Sequence, residues 1–187
     1  MKKFPIILFA GFAGAGKTTL SRSLSKRLDF SYIEHQKVVH ELAASKGYSR
    51  ARYWLKDAGV KKFIGESTDE MVHLTREAKH VGLKGVILDV VYGDEMVDGF
   101  KNAFPEAEIV VIGVEANRGL REERIALRMG GVERAIAEKE RGFRDKFLTE
   151  VGLRRALLKT DFNVENAGSL EELESRIEAR LINLGVL

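Results

Sequence analysis

The sequence predicts an α/β fold built around a parallel β-sheet, and three observations lead to this prediction. Short apolar runs alternate with stretches of helical periodicity along the 187 residues. The opening run, FPIILFA, passes through a glycine-rich turn into a segment whose Leu20, Leu24 and Leu28 share one helical face. Apolar residues make up 44% and charged residues 32% of the chain, which is typical of a folded globular protein. Strands that alternate with helices favour parallel pairing through right-handed crossovers.

Short apolar runs predict five strands, at residues 4–10, 31–33, 85–91, 109–114 and 162–164. The third of these begins GVIL and is apolar on both faces there, as expected for a strand inside a parallel sheet. Such a strand is covered by helices on both sides of the sheet.

Between the strands, helices are predicted at residues 18–28, 36–46, 67–80, 94–103, 118–159 and 169–184, with a break at 130–131. Two helix starts carry a capping box, Ser67 with Glu70 and Ser169 with Glu172. An inward-facing stripe is predicted on the last helix, formed by Leu170, Leu173, Ile177, Leu181 and Leu184.

The turn after the first strand reads G-x-x-x-x-G-K-T, the pattern of a phosphate-binding loop. Its glycines let backbone N–H groups close around phosphate oxygens, and the helix that follows adds the positive end of its dipole. In this pattern Lys17 contacts the β- and γ-phosphates, and the hydroxyl group of Thr18 holds Mg²⁺. A plain glycine turn is the alternative, but strand, loop and helix occur in the order that the motif requires. We therefore predict that a nucleoside triphosphate is bound by Gly11, Ala13, Gly14, Ala15, Gly16, Lys17, Thr18 and Thr19, with Mg²⁺ at Thr18.

Asp89 is a lone carboxylate in the third apolar run, where it is costly to bury without a partner. In P-loop proteins this position serves Mg²⁺ directly or through water, so Asp89 joins Thr18 as a predicted metal residue and Lys17 as a predicted catalytic residue. The alternative is a carboxylate satisfied by backbone donors at the strand end. Asp94, a few residues later, is interpreted as a helix N-cap.

Four arginines, Arg118, Arg121, Arg124 and Arg128, lie along one side of a predicted helix. Arg118 can pair with Glu122, but the others mostly neighbour one another, which destabilises a helix by roughly 0.2–0.5 kcal/mol per pair. A bound phosphoryl group would reverse this repulsion, and arginine forks suit its oxygens. A solvated basic face is the alternative. The glycines at 130–131 would let such a helix act as a lid.

Three later arginines have simpler explanations. Arg134, Arg141 and Arg144 each stand four residues from an acidic side chain, Glu138, Asp145 and Glu140 respectively. Surface pairing therefore accounts for all three on the residues alone.

Two groups of residues are candidates for binding a second substrate. Glu34, His35, Lys37 and His40 follow the second strand, at the edge where open parallel sheets bind ligands, and Glu34 or His35 would orient or deprotonate a hydroxyl group. Capping and solvation are the alternatives. The second group is Arg50 and Arg52 with the aromatic residues Tyr53 and Trp54, for which a helix start with aromatics in the core is the alternative.

With these groups assembled, the chain resembles the small P-loop kinases of the nucleoside-monophosphate-kinase-like group. The opening ILFAGFAGAGKTTLSRSLSKRLDFSYIE looks like those of shikimate and nucleotide kinases. The arginine helix, Arg144-Asp145 and TDFNVENAGSLEEL look like dephospho-CoA kinase and related archaeal proteins. The resemblance implies a three-layer P-loop NTPase fold, with a five-stranded parallel sheet of order 2-3-1-4-5, helices on both faces and a helical lid.

The resemblance covers nearly the whole chain as one domain and implies roles for its parts. Residues at about 34–80 would form an acceptor-binding insertion, and residues at about 118–147 an arginine-rich lid. Arg124 and Arg128 would be catalytic lid residues, with Arg124 also on the nucleotide, and Arg144 would face phosphate at the acceptor. Asn166 and Gly168 would lie beside the adenine.

The acceptor half departs from these families. Nucleotide kinases usually carry an Asp near the start of the helix after strand two and an Arg soon after it, where this chain has Gln36-Lys37 and His40. Shikimate kinases carry Asp-x-Asp where this chain has Glu34-His35-Gln36. The sequence therefore leaves the acceptor open.

Composition limits the other possibilities. A net charge of +3 suits anionic ligands without requiring nucleic acid, and the lack of cysteine excludes disulfides. No apolar stretch reaches the roughly 20 residues that span a membrane, so we expect a cytoplasmic location. The sequence predicts no particular oligomeric state.

These observations predict an enzyme, an ATP-dependent kinase whose acceptor is a small anionic molecule such as a nucleotide, a nucleoside or a coenzyme A precursor. A nucleotide-binding regulatory ATPase or switch with no small-molecule acceptor is the alternative. The chain has no N-K-x-D for guanine and no D-x-x-G after the third strand, which argues against a GTPase switch. Its size and modest charge argue against a nucleic-acid motor.

Overall fold

The computed structural model describes residues 3–187, which contain a sheet of five parallel strands in the order β2-β3-β1-β4-β5. The strands are β1 (Pro5–Ala10), β2 (Ser31–Ile33), β3 (Val86–Leu88), β4 (Glu108–Glu115) and β5 (Phe162–Glu165). The predicted parallel sheet and its order are confirmed. No helix within residues 3–187 has the length and apolar character needed to cross a membrane.

Nine helices connect and cover the strands in the described part of the chain. They are α1 (Lys17–Leu28), α2 (His35–Ser45), α3 (Ala51–Ala58), α4 (Val60–His80), α5 (Asp94–Ala103), α6 (Arg118–Arg128), α7 (Arg134–Glu150), α8 (Leu153–Leu157) and α9 (Leu170–Asn183).

Alternate residues of β1 point into two hydrophobic cores, one on each face of the sheet. Ile6 and Leu8 belong to the larger core, which is covered by the helices α2, α3, α4, α5 and α8. Ile7 and Phe9 belong to the smaller core, which α1 and α9 cover. Because β1 is buried on both faces, its sequence is an unbroken apolar run. The predicted placement of helices on both faces is confirmed.

The parallel register brings the ends of β1 and β3 together. Leu8 pairs with Leu88, and the N–H of Val91 donates to the carbonyl oxygen of Phe9 at 2.8 Å. Asp89 follows β3 directly and therefore lies beside the turn that leaves β1.

The predicted helix start at Ser67 is wrong. The helix, α4, already begins at Val60, directly after Gly59. Ser67 lies in the middle of this helix on its buried face, and its hydroxyl group donates to the carbonyl oxygen of Phe63 at 2.7 Å. A serine satisfied within its own helix has the same sequence pattern as a capping box, so Ser67 with Glu70 gave a false helix start.

Other predicted boundaries are close to the observed ones, with three differences. The third strand ends at Leu88, before Asp89. The long helical region divides into α6, α7 and α8, because Gly130, Gly131 and Gly152 adopt left-handed φ angles between 83° and 95°. Gly93, not Asp94, is the N-cap of α5.

The capping box of Ser169 with Glu172 at the start of α9 is confirmed. Leu173, Ile177 and Leu181 of the predicted stripe are buried, but Leu170 and Leu184 are 38% and 50% exposed. Leu170 is the first residue of α9 and Leu184 is its C-cap, so both lie at the ends of the helix.

Candidate active site

The glycine-rich turn between β1 and α1, residues 11–18 (the P-loop), has the backbone shape of an anion-binding loop. Gly14 and Gly16 adopt left-handed φ angles of 79° and 94°, which glycine reaches without strain. The N–H of Ala15 donates to the carbonyl oxygen of Phe12 at 3.2 Å and closes the turn. α1 begins at Lys17, and no side chain of the described residues caps its first N–H groups. These donors at the positive end of α1 are available to an anion.

The P-loop is packed closely between other elements. A Cβ atom on Gly11 would collide with the carbonyl group of Val114 at the end of β4. A Cβ atom on Gly14 would lie 2.8 Å from the carbonyl oxygen of Arg121 on α6, and one on Gly16 would collide with the side-chain amide of Asn166. Packing against backbone therefore requires glycine at Gly11 and Gly14, whereas the left-handed φ angle of 94° favours it at Gly16. Thr19, by contrast, is exposed on the first turn of α1.

Lys17 is buried inside the loop that it belongs to. Its Nζ atom donates to the carbonyl oxygen of Phe12 at 3.0 Å, which leaves ammonium hydrogens for further acceptors. Burial lowers the pKa of Lys17 to about 8, helped by Arg121 and Arg128 and opposed by Asp89 and Asp145. An anion in the loop would stabilise the charged form of this side chain.

The Asp89 carboxylate is only 2% exposed and accepts three hydrogen bonds. Its Oδ2 atom accepts from the Thr18 hydroxyl group at 3.0 Å and from the Tyr32 hydroxyl group at 3.1 Å. Its Oδ1 atom accepts from the backbone N–H of His35 at 2.9 Å. Burial raises the pKa of Asp89, and these hydrogen bonds and the charge of Lys17 oppose the rise. Three elements, α1, β2 and α2, thus hold one carboxylate.

The donor set at Thr18 and Asp89 fits a magnesium ion that is bound mainly by phosphate oxygens and water. A hydroxyl oxygen and a carboxylate are ligands that Mg²⁺ prefers, and it usually takes only one or two from the protein. Within residues 3–187 no cluster of three His, Cys, Asp or Glu side chains could hold a metal by itself.

Arg121 and Arg124 fasten α6 to the P-loop. Arg121 Nε donates to the carbonyl oxygen of Ala13 at 2.7 Å, and its guanidinium group lies 5.2 Å from the centre of the Phe12 ring. Arg124 donates to the carbonyl oxygens of Gly14 at 3.4 Å and Ala15 at 3.3 Å. The folded chain thus supplies these two arginines with acceptors that the helix alone lacks.

Asn166, in the connection between β5 and α9, joins the same contacts. Its side-chain amide donates to the carbonyl oxygen of Ala15 at 2.8 Å, and its own carbonyl oxygen accepts from Arg124 at 3.1 Å. Gly168 lies two residues further along in the same exposed connection. Asn166 and Arg124 together hold this connection, the P-loop and α6 in contact.

Two acidic residues join α6 to α7. The buried Glu122 carboxylate accepts from Arg118 at 2.7 Å, from Arg141 at 3.1 Å and from Arg134 at 3.4 Å. The hydrogen bond from Arg118 is the main cause that lowers the pKa of Glu122. The predicted pairing of Arg118 with Glu122 is confirmed, whereas Arg134 contacts Glu122 and not Glu138, which pairs with Arg118.

Asp145 on α7 contacts both helices. It accepts from Arg121 on α6 and, at 2.9 Å, from Arg141 on its own helix. The predicted pairs of Arg141 with Asp145 and of Arg144 with Glu140, the latter at 2.7 Å, are both confirmed. Two arginines of α6, Arg118 and Arg121, are therefore paired with acidic residues on α6 and α7.

A cavity of about 300 Å³ opens above the P-loop. Its floor is formed by Lys17, Thr18 and Asp89, and α2 and α7 contribute its two walls. The polar side chains on the walls and rim are Glu34, His35, Gln36, His40, Tyr92, Arg128 and Arg144, and the apolar ones include Val39, Phe147 and Leu148. A second molecule in this cavity would lie next to the group that the P-loop binds.

Comparison with known proteins identifies archaeal relatives, although no protein-family profile matches the chain. A UPF0200/UPF0201 protein of Archaeoglobus fulgidus is 28% identical over 189 aligned positions, which cover 96% of this chain and 55% of that protein. A UPF0200 protein of Thermococcus sibiricus is 26% identical over 192 positions, covering 97% and 96%. The chain thus spans about half the length of the first relative and nearly all of the second. A Thermococcus onnurineus protein with a provisional name as an adenylate kinase is 32% identical over 133 positions, covering 71% of this chain and 60% of that protein.

Solved structures share the architecture. A shikimate kinase of Bacteroides thetaiotaomicron superposes with a TM-score of 0.66 at 14% identity, covering 96% of this chain and 98% of that one. A gluconokinase of Sinorhizobium meliloti gives a TM-score of 0.62 at 15% identity, covering 99% and 95%. The chain has the fold of the small P-loop kinases. The predicted resemblance to this group is thereby confirmed at the level of fold.

Within this kinase fold, the structure separates the seven residues predicted to contact an acceptor. Glu34, His35, His40 and Arg144 line the cavity above the P-loop, together with the lid candidate Arg128. The other three, Lys37, Arg50 and Arg52, are not among the described residues that line it.

Those three residues lie in other surroundings, and Arg50 is the exposed N-cap residue of α3. Lys37 lines a separate groove of about 950 Å³ between β2, α2 and α4. Arg52 donates to the hydroxyl group of the exposed Tyr53 at 3.0 Å. Trp54 is buried against Phe63, with ring centres 4.6 Å apart, so the aromatic part of this segment belongs in part to the core.

His35 occupies a buried position beside Asp89, and its ring packs edge-on to Tyr92 with ring centres 4.0 Å apart. Burial lowers the pKa of His35 to about 3, and among the described residues its Nε2 atom has no hydrogen-bond partner. Such an imidazole is neutral at ordinary pH and is a poor proton acceptor. Glu34, the other candidate base, pairs with Arg22 at 2.9 Å.

The sequence did not indicate the contact of Tyr32 with Asp89 or the second contact of Asp145, with Arg121. Tyr32 is the middle residue of the edge strand β2, and only the fold brings its hydroxyl group to Asp89. Asp145 was interpreted only as the partner of Arg141, although it also binds Arg121 across two helices. The position of Tyr32 near the end of strand two was the available signal, since neighbouring parallel strands end at the same edge of a sheet.

Proposed function

We propose that this protein is an ATP-dependent phosphotransferase that moves the γ-phosphoryl group of ATP to a small anionic acceptor such as a nucleotide, a nucleoside or a coenzyme A precursor. The cavity that opens onto Lys17 and Asp89 and carries Arg128 and Arg144 is the observation that supports this most strongly. A P-loop used only for binding or signalling has no need of a second compartment beside the phosphates.

The ATP half of the reaction is assigned to the P-loop and its supports. The N–H groups of the loop and of the first turn of α1 would hold the phosphates, and Lys17 would leave the carbonyl group of Phe12 to contact them. Thr18 and Asp89 would hold Mg²⁺, which shields the charge of the triphosphate. Arg124 and Asn166 fasten the nucleotide side of the loop and thereby fix where the phosphates lie.

The acceptor half is assigned to the cavity. Arg128 and Arg144 supply positive charge at its rim, where they would attract an anionic acceptor. Val39, Phe147 and Leu148 provide an apolar surface for the uncharged part of an acceptor. These walls would hold the acceptor oxygen atom, from a hydroxyl or a phosphate group, in line with the γ-phosphorus atom and exclude water from it. Catalysis would then come from positioning and charge neutralisation.

The named relatives guide the choice of acceptors to test. The provisional name of the Thermococcus onnurineus relative points to nucleoside monophosphates. The shikimate kinase and the gluconokinase that share the fold phosphorylate hydroxylated acids, as their names state, and the fold is the same here. The resemblance of the later half to dephospho-CoA kinase adds dephospho-CoA.

The test is ADP release measured with each of these acceptors in turn, with and without Mg²⁺. We expect slow turnover of ATP alone and stimulation by one acceptor class, and Lys17→Met should abolish the stimulated rate. If no acceptor stimulates turnover, but ATP binding changes the conformation or the association of the protein, the regulatory alternative is correct.

A further inference from the structure

The Asp89 carboxylate is nearly saturated with protein donors. A carboxylate has about four lone-pair sites, and those of Asp89 accept from Thr18, Tyr32 and the backbone N–H of His35. About one site remains for a water molecule of a bound metal ion. The orientation of that site is set by whichever donors hold the two oxygens, and the Tyr32 hydroxyl group holds Oδ2 from the side of β2.

Tyr32 is itself held in place by the sheet and by a contact with Arg22. It pairs with Ile87 in the register of β2 and β3, so its backbone position is fixed by the sheet. The guanidinium group of Arg22 lies 5.4 Å from the centre of its ring, and Arg22 is anchored in turn by Glu34 at 2.9 Å. A fixed phenol ring presents its hydroxyl group to Asp89 with little freedom to turn away.

We infer that Tyr32 is a positioning residue whose hydroxyl group orients the Asp89 carboxylate for the magnesium ion that accompanies ATP. This inference rests on the proposed function, because it assumes that Thr18 and Asp89 serve Mg²⁺. Without the Tyr32 hydroxyl group, Oδ2 keeps only the bond from Thr18, and that same hydroxyl oxygen is needed by the metal. The carboxylate is then held by two hydrogen bonds, from Thr18 and from the backbone N–H of His35, and it is oriented less tightly toward the metal.

The variant Tyr32→Phe tests this inference because it removes one oxygen atom and keeps the ring. The probe is an imido analogue of ATP, whose Kd is measured by calorimetry in EDTA and again in saturating Mg²⁺. We expect Mg²⁺ to tighten binding to the native protein. In Tyr32→Phe the ratio of the Kd in EDTA to the Kd in Mg²⁺ should be about tenfold smaller than in the native protein. The Kd in EDTA itself should be unchanged. Tyr48→Phe is the matched control, since Tyr48 packs against the core and is not among the residues that line the cavity.

A double-mutant cycle separates positioning from general damage. In an Asp89→Asn background, Tyr32→Phe should produce little further loss of the Mg²⁺ gain, because both substitutions remove the same oriented carboxylate. The inference would be overturned if Tyr32→Phe reduced the tightening of binding by Mg²⁺ by the same factor in the Asp89→Asn background as in the native protein. It would also be overturned if Mg²⁺ tightened binding to Tyr32→Phe as much as binding to the native protein. If Mg²⁺ does not tighten binding to the native protein, the proposed magnesium site itself is wrong.

Discussion

The hydroxyl group of Thr18 donates a 3.0 Å hydrogen bond to Oδ2 of Asp89, across 71 residues of sequence. This contact joins the first turn of α1 to the end of β3, at the floor of the cavity above the P-loop. The residues that would hold ATP and its metal ion are therefore already assembled by the packing of two parallel strands. Substitutions at the individual parts of this assembly should have separate, measurable effects.

Replacing Lys17 with methionine should abolish catalysis without unfolding the protein. Lys17 is buried and burial lowers its pKa to about 8, so methionine should keep or raise the melting temperature. Loss of a charged donor at the phosphates should reduce kcat/KM by at least about hundredfold. Acceptor-dependent ADP release and thermal unfolding measure the two effects, with the exposed Lys26→Met as control. An acceptor-dependent rate close to that of the native protein would refute the role of Lys17.

Replacing Gly14 with alanine should weaken both the fold and ATP binding. Gly14 has a φ angle of 79°, and a Cβ atom there would lie 2.8 Å from the carbonyl oxygen of Arg121, so α6 has to move. We expect the free energy of unfolding to fall by about 1–3 kcal/mol in urea denaturation.

Gly65→Ala is the control for Gly14→Ala. Gly65 lies inside α4, and a Cβ atom added there would meet nothing within 4 Å. Alanine there should stabilise the protein by about 0.5–1 kcal/mol. Equal effects at the two glycines would contradict the close packing of α6 on the P-loop.

The buried His35 should make the protein sensitive to acid. Burial lowers the pKa of His35 to about 3 from the usual value of about 6.5. Between these values the unfolded chain binds a proton that the folded chain does not, so the free energy of unfolding falls as the pH falls. The contribution of His35 to the free energy of unfolding is fully present above about pH 6.5. At about pH 5 this contribution is reduced by about 2 kcal/mol.

Urea denaturation at about pH 7.5 and about pH 5 measures this contribution of His35. His35→Phe should reduce the difference between the two pH values by about 2 kcal/mol, because phenylalanine can pack on Tyr92 and does not titrate. His80→Gln, at an exposed position on α4, should leave the difference nearly intact. The same difference in His35→Phe as in the native protein would show that His35 is not buried in its neutral form.

Arg144 should act on the acceptor and not on ATP. It lines the cavity from α7 and is held by Glu140 at 2.7 Å. Arg144→Gln removes a charged donor, so the KM of the acceptor should rise by about 10- to 100-fold while the Kd of ATP changes little. Arg154→Gln, exposed on α8, is the matched control. If Arg144→Gln leaves the KM of the acceptor unchanged, Arg144 does not bind the acceptor and serves only as the partner of Glu140.

Local patterns were sufficient to predict the strands and the P-loop, whereas the strand order was implied by the resemblance to P-loop kinases. The apolar run of β1, the glycines at 11, 14 and 16 and the leucine spacing of α1 each specify structure over a few residues. Ser67 shows where such patterns fail. The same Ser-x-x-Glu spacing suits a helix start and a helix interior, and only the packing of α4 on the core decides between them.

Contacts between distant elements could not be predicted in the same way. Asp145 reaches Arg121 because α6 and α7 pack side by side after the turn at Gly130 and Gly131. The basic and aromatic residues near Arg52 suggested an acceptor site, but α3 directs Trp54 into the core and leaves Arg52 on the surface. Charge and residue type identify candidates, whereas the relative placement of helices determines which of them share a cavity.

The central claim is that a small acceptor bound in the cavity above the P-loop receives the γ-phosphoryl group of ATP. It is tested most directly with ATP labelled at the γ-phosphoryl group. The labelled nucleotide is incubated with Mg²⁺ and each acceptor of the panel, and the products are separated. We predict that the label appears in one class of small anionic acceptor, that Arg144→Gln slows its appearance, and that Lys17→Met abolishes it. Label found only in inorganic phosphate or remaining in ATP with every acceptor would contradict the claim.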